Sequence, residues 1–127
     1  MLHCVFVGLG GFIGAIARYL IGLGFSAFAW AFPLGTLIIN FAGSFIIGAV
    51  TDYNAQFVTM DPRLYLFLTV GLCGGFTTFS TFSLETFGLL NEGKIALGIA
   101  YAAVSAVLCV VGVFAGKMTV QTVMGGR

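Results

Sequence analysis

Charge is what this sequence has least of. Only 7% of its residues are charged, where a soluble domain carries about a quarter. Five Lys and Arg against four Asp and Glu leave a net charge of +1. That gives no basic field, so nucleic acid is excluded as a partner. Histidine is nearly missing: His3 is the only one and sits at the extreme N-terminus. The three cysteines, Cys4, Cys73 and Cys109, form no C-x-x-C pair and have no metal-ligand spacing. They read as small apolar side chains in helices. No nucleophile–base pair is present, so the chain is not expected to be an enzyme.

What remains is 60% hydrophobic, the composition of an integral membrane protein. A chain of 127 residues has room for about four helices of roughly 20 residues each. The expected fold is all-α, a single membrane domain over 1–127. Helices are expected at about 3–24, 34–52, 64–90 and 95–116, with a short polar tail at 117–127 that frays. Ala27-Phe28-Ala29 resembles a signal-cleavage site. No Lys or Arg precedes the first run, however, and Arg18 falls inside it, so cleavage is not expected.

Each span carries a small or polar stripe, as an associating bundle requires. In the first, Gly8, Gly11, Ala15, Arg18 and Gly22 share a face, and Gly10 and Gly14 add a small-xxx-small pair. Arg18 on that stripe points to a protein-facing role, against snorkelling to the interface. Trp30 suits the interfacial belt, and Pro33 the opening turn of the second helix. Thr36, Asn40 and Ser44 follow at intervals of four, beside Gly43 and Gly48. Two readings fit Asn40: an interhelical hydrogen bond that only joins helices, or a polar group on an ion path. In the last span Gly98, Tyr101, Ser105, Cys109, Gly112 and Gly116 share a face.

The third span is the unusual one. Gly74-Gly75-Phe76-Thr77-Thr78-Phe79-Ser80-Thr81-Phe82-Ser83 lies at its middle, and paired glycines and threonines both weaken helix. A break near 74–78 is expected, close to the bilayer centre. It would leave carbonyls without helical partners, suited to a hard cation, or simply a kink healed by Thr hydroxyls and water. Phe79 and Phe82 are three apart, and the positive edges of their rings can face a small anion. Among 14 phenylalanines, with Phe76 continuing the same spacing, composition alone favours a lipid-facing or core role. Glu85 is the only acid within a span. A vestibular or snorkelled carboxylate is favoured there over a proton-coupling site.

Charges flanking the spans divide weakly between the two sides: Arg63, Lys117 and Arg127 against Lys94 and Arg18. This is a poor positive-inside signal, and such a chain can insert both ways and pair antiparallel with itself. Four short spans also enclose little interior alone, which points to a dimer.

Taken together, these motifs resemble the Fluc (CrcB-type) fluoride channels, in order and over nearly the whole chain. Residues 10–19 resemble the family's first-helix signature, Gly35 to Asn40 with Gly43-Ser44 its second, and Gly74 to Glu85 its third. Tyr101, Ser105 and Cys109 fall where the family has a fourth-helix tyrosine and two hydroxyl-bearing positions, Cys109 departing from serine.

The resemblance implies an antiparallel, dual-topology homodimer in the bacterial inner membrane, embedded in membrane lipid, with two fluoride pores. It implies a structural sodium ion, not transported, bound by the backbone carbonyls of Gly74 and Thr77 from both subunits. It also implies fluoride passing Asn40, the edges of Phe79 and Phe82, and a hydroxyl track including Ser80, Thr81, Ser83, Tyr101 and Ser105. Arg18 and Glu85 are assigned to a vestibule or to packing. The runner-up is a proton-coupled, dual-topology transporter of the small multidrug type. That class needs a deep carboxylate, commonly in its first helix, where this chain has none.

Overall fold

The computed structural model describes residues 1–26 and 32–125. Ala27-Phe28-Ala29, Trp30 and Arg127, which the sequence singles out, lie outside the described residues. The described chain is all-helical, and four stretches are long and apolar enough to cross a membrane. They are α1 (Leu2–Ser26), α2 (Leu34–Gln56), a third crossing from Pro62 to Asn91, and the final helix Ile95–Gly125.

The third crossing is two helices end to end. Asp61 starts it by accepting from the Arg63 backbone N–H at 2.7 Å, with Pro62 in the first turn, a position that needs no N–H donor. The helix runs through Pro62–Leu66, a π-helical stretch Phe67–Cys73 and Gly74–Phe76; residues 62–76 are here called α3. Thr77 (φ −78°, ψ 161°) and Thr78 (φ −149°, ψ 113°) are extended. Helix α4 then spans Phe79–Asn91.

The break therefore falls at Thr77 and Thr78, inside the expected 74–78, while the glycines stay helical. Gly74 keeps helical angles (φ −64°, ψ −38°). Gly75 serves close approach instead: a Cβ there would lie 2.5 Å from the Gly11 carbonyl oxygen. One turn earlier, a Cβ on Gly71 would lie 2.7 Å from the Val7 carbonyl oxygen. Helix α1 thus lies backbone against backbone on the π-helical stretch.

The contacting face of α1 differs from the expected stripe in detail. Gly10 and Gly14 are its buried residues, and a Cβ on either would strike α3 backbone. Gly8 and Gly22 have open space around them. The small-xxx-small pair makes the contact, with Gly11 at its edge.

Gly93 closes α4 in the left-handed region (φ 76°), where glycine carries no Cβ penalty. The chain then enters the last helix, α5 (Ile95–Gly125). Helices α2 and α5 form the most extensive pairing. Leu37 of α2, Leu89 of α4 and Tyr101 of α5 are the centre of the apolar core, and Gly98, Tyr101, Ser105, Gly112 and Gly116 line the buried face of α5.

The frayed tail expected from residue 117 is not observed, since α5 continues to Gly125. Asp52, 3% exposed near the end of α2, draws it in. Its Oδ1 accepts from Gln56 Nε2 at 2.8 Å and Gln121 Nε2 at 3.2 Å, and lies 3.8 Å from Lys117 Nζ.

Candidate functional site

The interrupted third crossing determines the chemistry around it. Two extended residues remove Thr78 from the helical ladder, and its backbone groups need other partners. Asn40 on α2 supplies both. Thr78 N–H donates to Asn40 Oδ1 at 2.7 Å, and Asn40 Nδ2 donates to the Thr78 carbonyl at 3.1 Å. This pairing fixes which way the amide points. It leaves one Nδ2 hydrogen uncommitted by the described bonds.

Thr78 also begins α4. Its Oγ1 accepts from the Thr81 N–H at 3.1 Å, the usual N-cap role of a hydroxyl. It also donates to Thr81 Oγ1 at 3.0 Å and lies 3.2 Å from Ser80 Oγ. The three hydroxyls of Thr78, Ser80 and Thr81 form one cluster at the head of α4. Ser83 is not part of it: its hydroxyl is exposed and donates to the Phe79 carbonyl of its own helix at 2.8 Å.

The rings lie on the other side of α4. Phe79 and Phe82 have centroids 5.4 Å apart at 46°. Phe82 continues to Tyr101 at 5.3 Å and 50°, and Tyr101 to Phe32 edge-on at 5.3 Å and 87°. Phe79 is 79% exposed, whereas Tyr101 is fully buried behind Phe82. Asn40, Phe79, Phe82, Ser105, Ala106 and Cys109 line one cavity of about 160 Å³. Asn40, Phe79 and Cys109 also line a second, of about 220 Å³, with Ser44, Thr77 and Thr78. The Ser105 hydroxyl is buried and finds no partner among the described residues.

On the opposite side of the break, Arg18 Nε donates to the Gly75 carbonyl at 3.1 Å. Arg18 is half-buried and lines a cavity of about 440 Å³ with Thr36, Thr78 and Thr81. Glu85 is held at both oxygens, accepting from Thr36 Oγ1 at 2.8 Å and from Tyr101 Oη at 2.7 Å. It is therefore a junction between α2, α4 and α5 rather than a snorkelled side chain. It also faces a cavity of about 280 Å³ shared with Thr36 and Thr81.

The break frees the carbonyls of Gly74, Phe76 and Thr77. No described hydrogen bond ends on the carbonyl oxygen of Gly74 or Thr77, because Thr78 N–H has gone to Asn40 and Thr81 N–H to Thr78. Both residues line a cavity of about 170 Å³ with Gly43, Ser44, Thr69 and Cys73, and Gly74 is exposed on its outer side. Neutral oxygens of this kind match a hard cation. Among the described residues no cluster of His, Cys, Asp and Glu offers an alternative metal site.

The family model described as CrcB-like protein, Camphor Resistance (CrcB), matches residues 5–117. The chain belongs to the CrcB-like family. It is 45% identical to "Fluoride-specific ion channel FluC" of Ruminiclostridium cellulolyticum, over 97% of this chain and 95% of that protein. A protein of the same name from Clostridium novyi is 48% identical, over 92% of each chain. One from Rhizobium meliloti is 43% identical, over 91% of this chain and 94% of that protein. With its four apolar crossings, this CrcB-like chain is a multi-pass protein of the cell membrane.

Within the CrcB-like fold three contributors went unnamed as site residues in the sequence reading. Thr78 is the hub of the broken turn, and its signal was present in the Thr-Thr pair. Thr36 bonds Glu85, and its signal was the Thr36, Asn40, Ser44 spacing. Cys109 lines both ring-side cavities, and its signals were the α5 stripe and its fall at a hydroxyl-bearing position of the family.

Proposed function

We propose that this protein is a fluoride-selective passive channel. The observation that carries the proposal is the cavity where Asn40, Phe79, Phe82 and Ser105 meet at the interrupted crossing. Family membership and the printed names of its relatives support it. Fluoride is small and strongly hydrated, so a pore must replace its water with several donors yet release it quickly. Asn40 has an uncommitted amide hydrogen, Ser105 an unpartnered hydroxyl, and Ser80 and Thr81 lie at the head of the same helix. The edges of Phe79 and Phe82 add weak positive potential without a full charge. Ser83, turned to its own helix, contributes at most by changing rotamer. Tyr101 acts from behind, backing Phe82 and holding Glu85.

The proposed assembly is an antiparallel homodimer in the bacterial inner membrane. Exposed Phe79 and the exposed side of Gly74 support it, since a second copy gives both a place. The Gly74 and Thr77 carbonyls of two copies would together hold one sodium ion, which supplies a positive centre locking the subunits and does not cross. Arg18, bound to the Gly75 carbonyl one residue further on, steadies this turn and presents positive charge to the cavity of about 440 Å³. Hydrogen fluoride crosses lipid uncharged and ionises in a near-neutral cytoplasm, so a passive anion path lets the trapped ion leave. The proton-coupled transporter reading draws no support, because α1 carries no acid and both Glu85 oxygens are held by α2 and α5.

The test is efflux from potassium-loaded liposomes with valinomycin, followed by fluoride and chloride electrodes. Fluoride efflux without matching chloride efflux is expected. Absence of fluoride efflux, or equal rates for the two anions, rejects the proposal.

A further inference from the structure

A hydroxyl on a membrane helix commonly bonds back to the carbonyl one turn earlier, since the bilayer core offers no water. Thr51, Thr69, Thr77, Ser83 and Thr86 all do so here. Ser44, midway along α2, does not, and no described hydrogen bond involves its Oγ. It lies one turn beyond Asn40 on the same face and is half-buried. Ser44 lines the cavity of about 220 Å³ with Asn40, Thr77, Thr78 and Phe79. Thr77 Oγ1 spends its proton on the Cys73 carbonyl at 2.9 Å, and Thr78 Oγ1 on Thr81 Oγ1 at 3.0 Å. Of the three hydroxyls on this wall, only that of Ser44 keeps a free proton. Nor is it sealed in protein: the side-chain oxygens buried without a partner belong to Asp52 and Ser105, and Ser44 Oγ is open to the cavity. On its other side Ser44 borders the cavity of about 170 Å³ with Gly74 and Thr77. The freed carbonyls there offer lone pairs and no proton, so Ser44 is where the wall changes from donors to acceptors.

We propose that Ser44 is a further fluoride-binding residue, its hydroxyl donating to the ion next to the free amide hydrogen of Asn40. The inference rests on the channel reading above and adds a donor to it. An anion stripped of water needs several donors at once, and Asn40 supplies one. A hydroxyl proton rotates freely, so Ser44 can meet the ion without moving its helix. The sign of the effect separates this role from a steric one. Ser44→Ala shortens the side chain and removes the proton. A group that only narrows the path would speed efflux when shortened, whereas a donor slows it when lost.

The experiment compares wild type, Ser44→Ala and Thr51→Ala as full chains in potassium-loaded liposomes with valinomycin. Thr51 is the control, on the same helix with its hydroxyl spent on the Ile47 and Gly48 carbonyls at 2.8 and 3.1 Å. Ser44→Ala should lose fluoride efflux by about tenfold or more, the size of one hydrogen bond to a charged group. Its melting temperature should not fall, because no protein group loses a partner, and its monomer fraction, counted by photobleaching, should not rise. Thr51→Ala should conduct as the wild type does. Efflux from Ser44→Ala at or above the wild-type rate overturns the inference, as does an equal loss in Thr51→Ala. A loss accompanied by a lower melting temperature or more monomer also overturns it, since the hydroxyl is then a packing or subunit contact. A wild type that carries no fluoride overturns the channel reading and this inference with it. A conducting wild type with an unaffected Ser44→Ala overturns the inference alone.

Discussion

Asn40 and Thr78 are joined by two hydrogen bonds, one in each direction, at 2.7 and 3.1 Å. One side chain on α2 thereby satisfies both backbone groups of the residue where the third crossing is interrupted. The two readings open for Asn40 from its sequence, joining helices or lining an ion path, describe the same atom set from two sides. Its oxygen is committed to the backbone, and its remaining hydrogen is available to the cavity.

Asn40→Leu is expected to leave two groups of Thr78 unpaired in an apolar setting, at about 1–3 kcal/mol each. Both detergent stability and efflux should fall, efflux by more than tenfold. Asn40→Asp keeps the acceptor for the Thr78 N–H but sets a second acceptor against its carbonyl. It should retain more stability than Asn40→Leu while losing efflux as fully. Melting temperature and liposome efflux on the same preparations separate the two effects, and wild-type efflux in Asn40→Asp would remove the amide hydrogen from the path.

Phe79→Ile tests the ring edges with little structural cost, because Phe79 is 79% exposed in the single chain. Efflux should drop at least tenfold while the fold of the single chain, followed by its helical circular dichroism, stays unchanged. Phe82→Ile also removes packing against Tyr101 at 5.3 Å, so it should lower the melting temperature as well as the rate. Wild-type rates in both variants would exclude the rings from conduction.

The glycines separate what the sequence discloses from what it does not. Hydropathy alone located the four crossings, because a bilayer demands long apolar runs. Weak helix formers at Thr77 and Thr78 located the interruption to within a few residues. The exact break depends on Asn40, 38 residues away, which no local pattern reports. The π-helical stretch contains Gly71, against which α1 lays its backbone, again a contact between distant segments. Gly8 and Gly22 lie on the expected small-residue stripe and Gly10 and Gly14 beside it, and only packing shows which of the two sets makes the contact. Gly14→Ala should therefore force α1 from α3 and destabilise by about 1–3 kcal/mol. Gly22→Ala, with open space around it, should be neutral or stabilise by about 0.5–1 kcal/mol. Equal melting temperatures for the two would contradict the packing.

If the carbonyls of Gly74 and Thr77 hold the proposed sodium ion, conduction and assembly depend on that metal. Replacing sodium by N-methylglucamine throughout should raise the monomer fraction at low protein-to-lipid ratios and reduce efflux with it. Restoring sodium should reverse both. Single-molecule photobleaching of labelled protein counts the subunits, and a monomer fraction indifferent to sodium would leave the freed carbonyls as a simple kink.

At the far end of the α2–α5 pair, Asp52 and Lys117 make an asymmetric ion pair. The Asp52 side chain is 2% exposed and that of Lys117 44%, with 3.8 Å between them. The donors described, including Gln56 and Gln121, converge on Oδ1, and Oδ2 is buried without a partner. Removing the two members should therefore have unequal effects. Lys117→Met leaves a buried carboxylate with amide donors only, and an uncompensated buried charge is costly. Asp52→Asn keeps an oxygen for the two glutamines and leaves a lysine that can turn to water. Lys117→Met should lower the melting temperature by several degrees, Asp52→Asn by clearly less. The double variant should be more stable than Lys117→Met alone, since the charge that lacked a partner is gone. Hydrogen exchange over residues 117–125 should rise in the same order, because this contact is what carries α5 past the point where its apolar stripe ends. A double variant no better than Lys117→Met would mean that lysine's contribution is the packing of its stem and not its charge.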